Sequence, residues 1–452
     1  MKPLQSGDHT EGSIIGSILR MGVPSMIGFA VGNLYDLVDA YWLSRLGSAP
    51  VAAVSILAPF LWVIHSANMI VGAGSVAVIS RRYGEGDVLG TELAIRETFL
   101  LKWIAALLVG ALGFLTVPWI VRLLGAQGEV IGLGTTYGRI IFAGLGFNFA
   151  TYSVFTALRG VANPKKAMLL MLGFTGLNIV LDPLMIFGWW IFPALGIAGA
   201  AWASVISYAV AFTVGVLIFV GGGAHVRLHL RGGRPVQWRV MAQIMKIGGP
   251  SAIGSVSFSL ARTAIMPMIA TFGMGVVAAY GIGTRVTAFG VMMVVGIGLG
   301  LSALIGHNLG AGKLERARRT AQQAMLLALG LMLVLAGVVF FGAGAIMRRF
   351  FTDPETIGHG IELMRVLAVG FPFIGLHIMM ENIYAGVGEN RPAMVCSMIE
   401  AWVLEVPAVY VLSRVLGLGP VAVWWAVTGA TALGAMGFYA YFRRGRWLHV
   451  NV

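Results

Sequence analysis

The sequence predicts an all-α membrane protein. Twelve transmembrane helices form two six-helix lobes, a V-shaped pair related by a pseudo-twofold axis along the membrane normal. Three observations predict it. Of the 452 residues 58% are hydrophobic and only 11% are charged, with a mean hydropathy of +0.87, whereas soluble chains carry about 25% charged residues. Apolar runs recur along the chain at about the 20-residue length that carries a helix through the hydrocarbon core. The second half repeats the first at a constant offset of 226 positions.

Glycine, proline and charge set the limits of the helices. The first runs over 13–44, and the second over 51–80, stopped by Arg81-Arg82. The third covers 98–117 and the fourth 131–160, closed by Asn163-Pro164-Lys165-Lys166. The fifth (166–188) and sixth (196–220) complete the first half. The second half continues with 240–272, 276–306, 317–341, 356–386, 392–416 and 420–442. Several exceed the roughly 20 residues a crossing needs, so they tilt, bend or project from the bilayer.

Orientation follows from the loops. After the even-numbered helices come Arg81-Arg82, Lys165-Lys166, the Arg227/Arg231/Arg234/Arg239 linker, Lys313 with Arg316, Arg318 and Arg319, then Arg391 and the Arg443-Arg444-Arg446 tail. The other side holds only Arg45, Arg122, Arg348-Arg349 and Arg414. Cytoplasmic loops carry the positive excess, so a multi-pass plasma-membrane protein with both termini cytoplasmic is expected. Domains are expected at 1–220 (first lobe), 221–239 (basic cytoplasmic linker) and 240–452 (second lobe). The same rule accounts for the net charge of +13 and pI of about 10.2, and no nucleic-acid partner is expected. The single cysteine, Cys396, allows no internal disulfide. The first apolar segment is too long and too acidic for a cleavable signal peptide.

The repeat is detailed. An offset of 226 places Gly22, Pro24, Ser25, Ile27 and Gly28 on Gly248, Pro250, Ser251, Ile253 and Gly254. It also places Gly72, Gly74, Gly84 and Gly86 on Gly298, Gly300, Gly310 and Gly312, and Gly160, Ala167 and Met168 on Gly386, Ala393 and Met394. Six helices per half is an even number, so both halves enter the membrane in the same sense. Parallel repeats of this kind imply two lobes with a cavity between them, the architecture of a transporter.

Polar residues inside apolar segments mark the candidate site. Asp36 and Asp39 share one face of the first helix. A charge at that depth costs about 2.5–3.5 kcal/mol on insertion scales, so these carboxylates should face protein or a watery cavity. Asn178 and Asp182 are four apart on the fifth helix, again on one face, and Pro183 removes a backbone donor beside them. Two carboxylates and an amide can hold Na⁺ through oxygens. They can equally share a proton, since close like charges resist joint ionisation. Asp39 is the expected centre, and Tyr35, four residues earlier, is expected to hydrogen-bond to it. A competing reading makes Asp182 the cap of a broken helix and leaves Asp36 lining solvent.

The second half differs. The offset sets Arg262 against Asp36 and Ile265 against Asp39, so the carboxylate site is not duplicated. Arg262, Arg285, Arg365, Glu381, Glu400 and Glu405 lie in apolar segments, as does Arg139 of the first half. Salt bridges among them are the main expectation, with Glu381, Glu400, Arg262 and Arg285 as candidate substrate contacts. The 23 methionines and 24 phenylalanines suit lipid-facing helices and an adaptable lining for apolar compounds. His225 and His229 are expected to be solvated. No phosphate-binding loop, zinc-protease motif or Ser/His/Asp cluster is present, so neither an enzyme nor an ATP-driven pump is expected.

These residues carry a resemblance. Pro24, the Tyr35-Asp36-Leu37-Val38-Asp39-Ala40-Tyr41-Trp42 run with Leu46-Gly47, and Val51-Ala52-Ala53-Val54 open it. Arg159-Gly160 with Asn163-Pro164, Asn178 with Leu181-Asp182-Pro183, and Gly199-Ala200-Ala201-Trp202-Ala203-Ser204 continue it. Gly306-His307-Asn308-Leu309-Gly310-Ala311-Gly312-Lys313 and Gly386-Val387-Gly388-Glu389 close it. In this order the chain resembles the multidrug and toxic compound extrusion (MATE) family over essentially its whole length. The resemblance implies two lobes that alternate between outward-open and inward-open forms. It further implies export of drug-like organic cations or amphipathic compounds, coupled to H⁺ or Na⁺ entering the cell. Ion coupling carries over to Asp39, Asn178 and Asp182, which would also hold Na⁺, with Tyr35, Ser204 and Asp36 beside them. The seventh helix reads Ser259-Leu260-Ala261-Arg262-Thr263, without the acidic residue of the NorM-like branch, so the chain looks DinF-like. Asp36 stands where asparagine is common. His307 stands where glutamine is usual, at a helix end expected to matter little. No cofactor beyond the coupling ion is implied, and a monomer is expected. The alternative within transport is a flippase for a lipid-linked glycan, which would favour a cationic cavity.

Overall fold

The computed structural model describes residues 10–229 and 235–450, and within them every regular element is a helix. Arg231 and Arg234 of the linker lie outside the described residues. The first half holds α1 (Ile14–Ser44), α2 (Ser48–Gly84), α3 (Val88–Leu123), α4 (Glu129–Ala143), α5 (Leu145–Gly160), α6 (Pro164–Phe187) and α7 (Ile197–Val220). The second holds α8 (Trp238–Ala270), α9 (Met274–Gly310), α10 (Leu314–Phe350), α11 (Pro354–Val387), α12 (Arg391–Met398), α13 (Val406–Tyr410) and α14 (Pro420–Phe442). Helices α4 and α5 bend by 51° into one broken span. Helices α12 and α13 are joined and extended by π-helical turns, Ile399–Glu405 and Val411–Val415, into one rod. Counted as rods, the twelve predicted helices are all present.

Several rods outrun their apolar stretch. The run at 98–117 becomes Val88–Leu123, started by Asp87, whose carboxylate accepts from Gly90 N at 2.8 Å. Glu92, Arg96 and Glu97 continue the helix instead of ending it, with Glu97 0% exposed and bonded to Arg96 at 2.5 Å. Hydropathy therefore marks only the lipid-crossing part. A 37-residue helix such as α2 is about 55 Å long at 1.5 Å per residue, well beyond the bilayer's apolar thickness.

Glycines let the lobes touch. A Cβ on Gly248 of α8 would collide with the Ile70 carbonyl of α2, and one on Gly74 with the Ile244 carbonyl. Gly296 and Gly300 of α9 lie against Met26 and Met21 of α1 in the same way. At the helix ends, Gly84 meets His307 and Gly310 meets Arg81. Residues 84 and 310, like 81 and 307, are 226 apart, so this contact is reciprocal, as a twofold axis requires. Met21, Val76 and Ala303 close a small core between the lobes. All these approaches fall in the halves of α1, α2, α8 and α9 nearest the basic loops. Toward the opposite ends, Leu34, Leu37 and Tyr41 of α1 and Val256, Phe258 and Leu260 of α8 are exposed. The V is shut at the basic-loop end and open at the other.

Of the histidines at the shut end, His225 and His229 are exposed as expected, while His307 does more than its helix-end position suggests. His307 is buried and donates from Nε2 to the Gly160 carbonyl at 2.6 Å, tying α9 to the end of α5. His225 donates to the Val161 carbonyl at 2.8 Å, and His229 bonds Glu92. His307 and His225 take up carbonyls that the C-terminus of α5 leaves over, and His229 meets a carboxylate of α3.

Candidate functional site: a buried carboxylate pair in the first lobe

Helices α1, α6 and α7 bring the predicted first-lobe residues together. Helix α6 runs unbroken through Asp182 and Pro183, so Asp182 does not cap a broken helix. Asn178 Nδ2 donates to Asp182 Oδ1 at 3.2 Å, and both residues are 0% exposed. Asp182 Oδ2 and Asn178 Oδ1 find no hydrogen-bond partner among the described residues. Asp39 is buried at 8% exposure and acts electrostatically on Asp182 and on Tyr35. The result is an oxygen-rich recess in the helix core, able to take a small hard cation or a proton.

Tyr35 departs from expectation. Its hydroxyl bonds Ser204 Oγ of α7 at 2.6 Å, not Asp39, and its ring lies against Phe174 and Tyr208 at centroid distances of 5.3 and 6.4 Å. Phe174 and Tyr208 stack at 4.5 Å, completing an aromatic cluster with Tyr35. The Asp36 side chain lies outside the described residues.

Some residues escaped the sequence reading. Thr175 and Ser207 are buried, and their hydroxyls have no hydrogen-bond partner among the described residues. The spacing Thr175, Asn178, Asp182 is a single helix face, a signal that was there to find. Lys102 of α3 is 1% exposed and donates to the Asn68 carbonyl at 2.7 Å and to the Asn68 side chain. A lone lysine inside an apolar run was its signal.

The second lobe has its own polar centre. Arg262 Nε lies 3.3 Å from Glu405 Oε1 and its guanidinium 5.1 Å from the Phe258 ring. Glu381 and Glu400 both approach His377, which was not singled out from sequence, although the i,i+4 pair His377/Glu381 in an apolar helix points to it. Arg285 and Arg365 are exposed, Arg365 over the Phe340 ring, and neither joins this cluster. Arg139 is exposed over Phe114, away from the first-lobe recess.

Two repeated helical lobes that meet at one end, with buried carboxylates inside the first, define a membrane transporter. A family model described as MatE matches residues 24–184 and 250–411, and the chain belongs to that family. A "Probable multidrug resistance protein YoeA" of Bacillus subtilis (strain 168) is 25% identical over 450 residues, covering 98% of this chain and 96% of that protein. A "Multidrug export protein MepA" of Staphylococcus haemolyticus is 24% identical over 448 residues, covering 99% and 97%. Among solved structures, one described as MATE in the bent conformation superposes with a TM-score of 0.90 at 25% identity, covering 99% of this chain and 98% of that one.

Proposed function

We propose that the chain is a secondary active exporter of organic cations or amphipathic drug-like compounds, driven by H⁺ or Na⁺ moving inward. The observation that carries this reading is the buried pairing of Asp182 with Asn178, which leaves Asp182 Oδ2 and Asn178 Oδ1 without a hydrogen-bond partner among the described residues, at a depth where charge is costly. The names of the relatives support multidrug compounds as cargo. The basic loops are cytoplasmic by the positive-inside rule, so this form is outward-open.

In the cycle, Asp39 and Asp182 take up the ion from outside. Neutralising the recess favours repacking of α1, where Gly32 lies against Met171 of α6. The first-lobe cavity shrinks, cargo leaves outside, and the ion is released inside once the lobes re-form the opposite V. Tyr35 and Ser204 hold α1 to α7 while this happens. One charge crossing 100 mV yields about 2.3 kcal/mol, enough for a gradient of about fiftyfold in a neutral cargo. A lipid-linked glycan flippase finds less support, because Arg262 is engaged by Glu405 and Arg139 and Arg285 are exposed outside this recess.

The test is efflux of a fluorescent cation from proteoliposomes with pH and Na⁺ gradients imposed separately. One gradient is expected to drive efflux, and Asp39→Asn to reduce it to the level of protein-free liposomes without loss of folded protein. Normal efflux by Asp39→Asn would sink the reading.

A further inference from the structure

We infer that three short segments outside the helices act as straps, which hold the basic-loop end shut and set how often it opens. This rests on the alternation between outward-open and inward-open forms proposed above, but on no property of Asp39 or Asp182.

Each strap joins one lobe to the other. Residues 10–12 lead into α1 of the first lobe, yet they lie on α10 of the second. Lys313 Nζ donates to Thr10 O at 3.1 Å and to Thr10 Oγ1 at 2.8 Å, and it pairs with Glu11 Oε1 at 3.4 Å. Arg316 donates from Nη1 to Gly12 O and from Nη2 to Glu11 O, both at 2.9 Å. The chain entering α8 of the second lobe is held the other way round, with Arg96 of α3 donating to Pro235 O at 2.9 Å. The tail that follows α14 is reached from α2, where Arg81 Nη1 donates to Val450 O at 2.6 Å. Trp447 of that tail is buried and stacks on Phe442 at 5.1 Å, which fixes the strap's other end to the second lobe.

The repeat supplies a comparison within the chain. The offset of 226 carries Val88, the start of α3, onto Leu314, the start of α10. The segment before each lobe's first helix therefore lies on the third helix of the other lobe, the placement that twofold symmetry gives. The donors do not correspond. Arg96 falls on Gln322, while Lys313 and Arg316 fall on Asp87 and Gly90. The same tie is thus built twice from different residues, which inheritance of the repeat alone does not explain.

The chemistry suits a strap. The main acceptors are backbone carbonyls of non-helical chain, and the donors are arginine or lysine side chains of the facing lobe. Charge-assisted hydrogen bonds are about twice as strong as neutral ones, and each of these joins elements that the inward-open form must separate. Helix α1 carries the first strap at one end and Tyr35 and Asp39 toward the other. Ser13 caps it, its hydroxyl accepting from Gly16 N at 3.2 Å, so the strap runs straight into the helix. Repacking of α1 in the cycle therefore pulls on residues 10–12. Arg82 provides a control within the chain. It donates to Gly90 O at 3.0 Å, a backbone carbonyl of its own lobe, and that bond crosses nothing.

The experiment uses the full chain in lipid nanodiscs, with spin labels on Lys165→Cys and Arg391→Cys in a Cys396→Ser background. These exposed positions are 226 apart, one on each lobe at the basic-loop end. Pulsed electron–electron resonance without cargo reads the distance between them. Arg81→Gln, and separately Lys313→Gln with Arg316→Gln, are each expected to raise the ratio of long to short distances about tenfold, the effect of losing one charge-assisted bond. Arg82→Gln removes the same charge from the same end and is expected to leave the ratio unchanged. The proposal is overturned if neither strap variant moves the ratio further than Arg82→Gln does. The two strap variants touch different helices, so misfolding of one leaves the other to decide. Efflux measured alongside keeps the two readings apart. Coupled efflux by the parent with an unmoved ratio removes the straps alone, and a raised ratio with normal efflux by Asp39→Asn removes only the first-lobe coupling.

Discussion

Gly84 of α2 rests against the backbone of His307 in α9, with no room for a Cβ. The same fit, carried 226 positions along, sets Gly310 against Arg81. A side chain at Gly84 or Gly248 must therefore hold the lobes apart at the basic-loop end. Gly84→Val is expected to raise labelling of a cysteine placed at Ser80, in a Cys396→Ser background, by a membrane-impermeant maleimide. Ser80 lies against Gly306 in the closed form, so unchanged labelling would mean that the crossing does not seal that end.

The Tyr35–Ser204 hydrogen bond ties α1 to α7 at 2.6 Å. Removing one partner strands the other in a buried setting, at a cost of about 1–3 kcal/mol. Tyr35→Phe and Ser204→Ala should each lower the melting temperature in detergent, and the double variant should fall short of their sum, since one bond is lost only once. Full additivity would show that the two hydroxyls act independently.

Much of the fold was legible because the signals are repetitive. Hydropathy marked the rods, and the offset of 226 marked the two lobes, whose matching glycines turn out to make reciprocal contacts. The burial of Asp39, Asn178 and Asp182 side by side was legible too, since they are rare residue types in an apolar run. What stayed hidden depends on contacts between distant helices. Tyr35 turns to Ser204, 169 positions away, a choice made by packing on Phe174 rather than by helix spacing. His307 is the helix-end residue the sequence suggests, yet it is buried against Gly160, 147 positions earlier. The second-lobe cluster needs a π-helical turn to aim Glu400, and helical spacing alone does not announce one.

Outside the membrane-spanning stretches, Asp353 caps α11. Its Oδ2 accepts from Thr356 N at 2.9 Å and Thr356 Oγ1 at 2.7 Å, and these bonds hold its carboxyl below the usual aspartate range. A group whose folded-state value is depressed stabilises the fold above its unfolded value of 3.8, and that contribution fades as pH falls through the lower folded value. Asp353→Ala should therefore lower the melting temperature at neutral pH, with the gap from the parent narrowing below about pH 4. Asp353→Asn, which can still cap, should lose less. A constant gap across the pH range would rule out the carboxylate's charge as the cause.

Asp39 and Asp182 act electrostatically on one another inside the helix core, which under the proposed ion-coupled cycle puts stability and transport in opposition. Two acids in a low-dielectric recess repel when both are ionised, and solvent screens little of that repulsion. Asp182→Asn removes one charge while keeping the shape and an oxygen for the Asn178 amide. It should raise the melting temperature and abolish ion-driven efflux, the pattern of a destabilised site kept for its activity. The parent should gain stability on addition of its coupling ion, by mass action on the folded state, and Asp182→Asn should lose most of that gain. Melting curves at varied Na⁺ and pH read both effects. A variant less stable than the parent, yet still responsive to the ion, would show that Asp182 serves the packing of α6 rather than the binding of the ion.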